Sequence, residues 1–352
     1  MSQTQITSKV EIRDQTKLLV KQWLDEAVSD AARLDPSYAH LWEAISRQFT
    51  SGGKWIRPVL TVVSYESFGG HNPAIYNLAA AQELLHVSLL IHDDIMDHDY
   101  MRHGQPNVAG EYLEYYRNQP AADHRAMSAA LLAGDLLQAR GHQAIAFSGF
   151  DADIRQAAAK VFARQLYEVA AGQLLDVEAE MHDQTPELYL KVNQLKTATY
   201  SFTGPLLMGA EAAGAPQSAF AELEELGNSL GVAFQLADDL LGMFGDQAKI
   251  GKPILSDMRE GKLTYTIRQA LLEATAEDKA WLVANWGRPD VTIDDLVRTR
   301  SIVQSSGSQV KTMKMMESYV DRATAALERL ALPPASHQLL AEIIDQSVWR
   351  SV

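Results

Sequence analysis

Residues 78–96 read LAAAQELLHVSLLIHDDIM, and their Leu, Ala, Val and Ile recur at intervals of three and four. That is the period of a helix with its apolar face in a core. Residues 221–244, AELEELGNSLGVAFQLADDLLGMF, repeat the spacing. Neither stretch alternates strictly, and no convincing strand is found elsewhere, so the expected fold class is all-α. Working outward, SGG at 51–53, GGHNP at 69–73, HGQP at 103–106, GAP at 214–216, GKP at 251–253 and GRP at 287–289 punctuate the chain into helices of moderate length. No long Gly/Ser/Pro-rich linker and no fixed-period repeat occurs, so residues 1–352 are read as one helical domain rather than a solenoid. It is large for one core, which a wide bundle or a dimer interface accommodates.

The chain has 31 Lys+Arg against 45 Asp+Glu, a formal net charge of −14, 47% hydrophobic residues and no Cys. This balance argues against a nucleic-acid surface, which needs a dense basic footprint. Disulfides, thiolate nucleophiles and Cys-containing zinc sites are excluded, and the cytoplasm is the expected compartment. The opening MSQTQITSKVEIRDQ has no basic stretch leading into an apolar one, and no run approaches the length of a membrane span. Neither export nor an integral membrane segment is expected.

Within its apolar helix the first stretch suddenly carries Asp93, Asp94 and Asp97. Asp93 and Asp97 are spaced i,i+4 and share a face, where their repulsion is unfavourable unless something positive lies between them. A hard divalent cation such as Mg²⁺, held by one or two carboxylates plus substrate phosphate oxygens, answers that need. The second stretch repeats the anomaly with Gln235, Asp238 and Asp239, followed by Gly242 and Asp246. Two facing clusters in a helical bundle would form a metal clamp able to draw electrons from a diphosphate leaving group. Cations accompany them. Lys54 and Arg57 follow a glycine turn at an expected helix start, and His86 precedes Asp93 by seven residues on the same face. Arg102, His103, Lys196 with Thr197, Lys252 and Lys262 are scattered further along. Together they look like two anionic sites flanking a metal centre.

These residues resemble the trans-isoprenyl diphosphate synthases, or polyprenyl synthetases. GGKWIRP is similar to that family's GGKxxRP, LLHVSLLIHDDIMD to its first aspartate-rich motif, and MRHGQP to its RRGxP. LLAGDLLQA resembles GDxL, GQLLD resembles GQxxD, KTATY the Lys-Thr motif, and FQLADDLLG with GKPILSDMREGKLT the second aspartate-rich motif and its tail. The matches run in family order across residues 52–265. The resemblance implies the isoprenoid synthase fold, helical around a deep central cavity, a homodimer, and three Mg²⁺ ions bridging an allylic diphosphate. It also implies head-to-tail condensation with isopentenyl diphosphate. Carried over, Asp93, Asp94, Asp97 and Asp238 would be metal ligands, with Asp239 and Gln235 ligating metal or orienting its water. Arg102, Lys196 and Lys252 would bind the allylic diphosphate, and Lys54, Arg57 and His86 isopentenyl diphosphate, with Thr197 against the reacting centre. Lys262 lies in the tail of the second motif and joins the substrate-binding set.

Two departures stand out: His103 replaces the second Arg of RRG, and Gly242 stands where many members have Asp, with Asp246 nearby to compensate. A weaker isopentenyl diphosphate site at alkaline pH is expected from the first. A terpene cyclase would not need Lys54, Arg57 and His86, and a silent regulatory subunit would have eroded aspartates. Product length is read from Leu89, Ser88 and Leu85, since residues four and five before Asp93 stand about 6 to 7.5 Å along the helix from it. Ser88 leaves room where short-chain members carry aromatic rings. Geranylgeranyl diphosphate or a longer product is therefore expected, with farnesyl diphosphate as the alternative.

Overall fold

The computed structural model describes residues 6–49, 53–102, 104–178, 185–245 and 255–349, and it is all-α apart from one short hairpin. In chain order the elements are α1 (Lys9–Leu34), α2 (Pro36–Gln48), α3 (Ile56–Ser67), α4 (Ile75–Met96), β1 (Met101–Arg102), β2 (Gln105–Pro106), α5 (Val108–Tyr115), α6 (Ala122–Ala146) and α7 (Ala152–Val177). There follow α8 (Pro186–Asn193), a π-helix (Gln194–Thr203), α9 (Gly204–Ala213), α10 (Gln217–Phe244), α11 (Ser256–Arg259) and α12 (Tyr265–Glu273). The last are α13 (Ala276–Asn285), α14 (Ile293–Ser305), α15 (Ser308–Arg329) and α16 (Pro334–Val348). The hairpin corrects the expectation of no strand. Two-residue strands are too short to show alternation, and only Gly104, at φ +74°, marks the turn.

The chain forms two compact units, one of Met1–Arg164 with Gly204–Pro216 and one of Gln165–Thr203 with Gln217–Val352. In the first, α4 packs most extensively on α6, and α3 on α9, while α1 lies against α2, α3 and α4. Leu78, Leu84, Leu85 and Ile91 of α4 are buried, each contributing about 1.5–3 kcal/mol relative to an exposed position. Asp35 ends α1 in extended backbone and caps α2 by accepting a 2.7 Å hydrogen bond from the Ser37 N–H. Pro36 at the first position of α2 forbids a continuous helix there.

In the second unit α10 is the central element, packed against α15 and the π-helix. The π-helix approaches its neighbours closely at glycines. A Cβ on Gly231 would lie 2.4 Å from the Cα of Ala198, and one on Gly172 would lie 2.5 Å from the amide nitrogen of Lys196. No side chain fits at either crossing, so α7 and α10 hold the segment containing Lys196 and Thr197 by backbone contact.

Candidate active site

The first aspartates lie in the last turn of α4 and at its C-cap. His92 orients this turn: its Nε2 lies 3.4 Å from the Leu131 carbonyl and 3.5 Å from Asp135 of α6. Gly134 leaves room for it, because a Cβ there would come within 2.1 Å of the ring. With His92 turned onto α6, Asp93 is half-buried and Asp97 is exposed at the C-cap, where its N–H donates to the Asp93 carbonyl. Their hard oxygen donors stand at the negative end of the helix dipole, a donor set that fits a divalent cation. Among the described residues no three carboxylates or histidines already converge as a metal cage. A site of one or two carboxylates awaiting phosphate oxygens needs none.

Asp94 points elsewhere. It is 3% exposed and accepts hydrogen bonds from Arg102 Nε at 3.1 Å and Nη2 at 2.5 Å. Burial raises its carboxyl to about 6 despite the opposing guanidinium. The hairpin turns Arg102 back onto α4, and Arg102 also lies 3.9 Å from Asp93. Asp94 and Arg102 face a cavity of about 420 Å³ in the first unit, which His86, Trp55 and Glu83 also line. This brings Arg102 and His86, assigned from the sequence to different diphosphates, to one cavity.

The glycine turn leads into this cavity as expected, but α3 begins later than the motif. Trp55 is its N-cap in left-handed backbone, φ +51° and ψ +40°, so Lys54 precedes the helix and Arg57 lies in its first turn. Lys54 is exposed and Arg57 half-buried. A left-handed tryptophan costs roughly 1–2 kcal/mol. Burial to 4% and the Lys17 ammonium 5.4 Å above its ring hold it there.

The second unit presents its own constellation. Asp239 of α10 is buried and accepts hydrogen bonds from the Tyr189 hydroxyl and from Gln235 Nε2 at 3.3 Å, while Asp238 beside it is half-buried. Burial, then the Asp239 charge, pushes the Tyr189 hydroxyl well above its ordinary range, so it stays a donor. Lys196 pairs with Asp176 of the GQLLD segment at 2.6 Å, and Thr197 follows it half-buried on the π-helix. Lys262 pairs with Glu260 at 2.7 Å on the surface. His103, Lys252 and Asp246 lie outside the described residues. Of the residues read for product length, Leu85 and Ser88 are fully buried, Ser88 donates to the Leu85 carbonyl at 2.8 Å, and Leu89 is half-buried.

Sequence reasoning passed over Glu83, Trp55 and Tyr189. Glu83 carried a legible signal, a charge inside an apolar helix one turn before His86. Tyr189 carried none, because its partner is fifty residues away.

Comparison with known proteins gives a consistent likeness. The family model of polyprenyl synthetases matches residues 39–303. A geranylgeranyl diphosphate synthase of Saccharolobus solfataricus is 34% identical over 305 residues, covering 86% of each chain. A geranylfarnesyl diphosphate synthase of Aeropyrum pernix is 32% identical over 93% of this chain and 99% of its own. The crystal structure of a Corynebacterium glutamicum geranylgeranyl pyrophosphate synthase with isoprenyl diphosphate and magnesium superposes with a TM-score of 0.92. It is 27% identical and covers 98% of this chain and 100% of its own.

Proposed function

Because the chain belongs to the polyprenyl synthetase family, we propose that it condenses isopentenyl diphosphate with an allylic diphosphate, releasing geranylgeranyl diphosphate or a longer homologue. It is a prenyltransferase that elongates prenyl chains. The observation that carries the substrate assignment is the cavity of the first unit, where His86 and Arg102 meet the end of the glycine turn. Lys54, Arg57, His86 and His103 are assigned to isopentenyl diphosphate. Arg102, Lys196 and Lys252 are assigned to the allylic diphosphate, and Lys262 to substrate binding without a choice between the two.

Asp93 and Asp97 at the end of α4, and Asp238 and Asp239 on α10, would hold magnesium, three ions being the number that the family resemblance implies, while Asp94 stays paired with Arg102. When bound, the metal withdraws charge from the departing diphosphate. The protein's own residues do the rest. Arg102 counters the charge of Asp94 and Asp93, so the helix end can admit an anion. Tyr189 and Gln235 fix the rotamer of Asp239. The backbone crossing at Gly172 sets where Lys196 and Thr197 lie. Bond formation joins the isopentenyl double bond to the ionised allylic carbon, and the proton then lost passes to a base, for which the released diphosphate is the candidate.

We further assign one catalytic domain, a homodimer and a cytoplasmic location. No helix among the described residues is long and apolar enough to cross a membrane. The test is product analysis by chromatography after incubation with Mg²⁺, isopentenyl diphosphate and each allylic primer in turn. Geranylgeranyl or longer products are expected from the wild type, none from Asp93→Ala, and a shift towards farnesyl diphosphate from Ser88→Phe. Primers returned unextended would refute the reading.

A further inference from the structure

Glu83 has no role in the reading above, yet it is a buried carboxylate, 6% exposed, in the wall of the substrate cavity. Its Oε2 has no hydrogen-bond partner. A lone buried carboxylate is strongly unfavourable unless it is compensated. Two cations act on it, Arg57 from the first turn of α3 and Lys17 from α1. Lys17 is in turn stacked over Trp55, whose indole Nε1 is buried without a hydrogen-bond partner beside the same cavity.

The other charged groups around α4 at this level are already committed. Arg47 of α2 pairs with Glu111 of α5 at 2.6 Å, and Arg102 of β1 pairs with Asp94. Arg140 of α6 donates to Gln143 and to the Trp23 carbonyl of α1. Between Gly204 and Ala210, α9 carries no titratable group, and on α4 itself His86 stands one turn on. The field on Glu83 is therefore set by Lys17 and Arg57, with His86 nearby.

Resting on the assignment of this cavity to isopentenyl diphosphate, we propose that Glu83 is a positioning residue that exchanges roles with the substrate. In the empty cavity its carboxylate is the counter-ion that keeps Arg57 and Lys17 together. When the diphosphate enters and takes over that counter-charge, Glu83 accepts one proton from solvent and becomes neutral. Its Oε2, unpaired before, can then carry an O–H that donates to a phosphate oxygen. Burial alone already raises this carboxyl to about 7 against both cations, so little further push is required at neutral pH. Lys17, which no sequence motif marks, acts on the cavity through Glu83 and Trp55, which line it.

Isothermal titration of isopentenyl diphosphate into the full-length protein tests this, with EDTA present, no allylic partner, at pH 8, in buffers of low and high protonation enthalpy. The wild type should take up close to one more proton per ligand than Glu83→Gln, whose own uptake is the reference for the ligand and every other group. Infrared difference spectra of the wild type should gain a carboxylic-acid carbonyl band on binding, a readout that stands even if the variant fails to fold. Equal proton uptake in the two proteins, or no new band, overturns the role of Glu83 while leaving the cavity assignment standing. No binding at all overturns the cavity assignment, and the inference with it.

Discussion

A carboxylate shielded from water ionises at a cost in folding free energy, and Glu83 makes that cost measurable. Its folded-state carboxyl, near 7 against an ordinary 4.5, holds a proton more tightly than the unfolded chain does. Its contribution to stability is therefore fully present below pH 4.5 and is lost as pH rises through 7. Glu83→Gln keeps the protonated shape and removes the charge. The variant should unfold at higher denaturant than the wild type at pH 8, by up to roughly 3 kcal/mol, and the gain should vanish near pH 4.5. Urea unfolding at both values checks this, and a difference independent of pH would mean that the carboxylate is not the strained group. The same residue shows the limit of reading by pattern. Glu83 stands out as a charge in an apolar helix, but spacing along that helix does not show that Lys17 and Arg57, on two other helices, act on it.

At the scale of elements, the helices were legible because each buries a stripe recurring at three and four, as α10 does through Leu223, Leu226, Leu230 and Leu236 to Met243. The π-helix was not legible. KTATYSFT has the spacing of an ordinary helix, and its widened turn is imposed by packing against α7 and α10. Pairings such as Tyr189 with Asp239, or Lys196 with Asp176, were equally hidden, since they exist only once remote segments meet. The close crossing supplies a test. Gly172→Ala would drive a methyl into the Lys196 backbone, so it should cost about 1–3 kcal/mol and lower turnover by displacing Lys196. Urea unfolding and steady-state kinetics on the one variant decide it, and full stability with full activity would show that the segment does not depend on that contact.

For the whole molecule, a chain of net charge −14 associates with its copy only if apolar surface outweighs repulsion. Adjacent leucines of α6 are exposed, Leu131 at 51% and Leu132 at 56%. Sedimentation equilibrium should accordingly give twice 38.9 kDa, with Leu132→Glu shifting the population towards monomer. A wild-type monomer at micromolar concentration would remove the homodimer from the assignment. Salt should tighten the dimer by screening like charges.

The π-helix has a consequence for how the protein can change. An α-helix advances about 100° per residue, and i→i+5 bonding advances less, so Gln194–Thr203 accumulates an angular lag. Lys196 and Thr197, near its start, therefore look in a direction that, relative to Thr203 at its end, is set by the number of residues between them rather than by their identities. Substitution there alters the chemistry presented without re-aiming it. Only gain or loss of a residue, a change of phase, would turn the lysine to a different bearing.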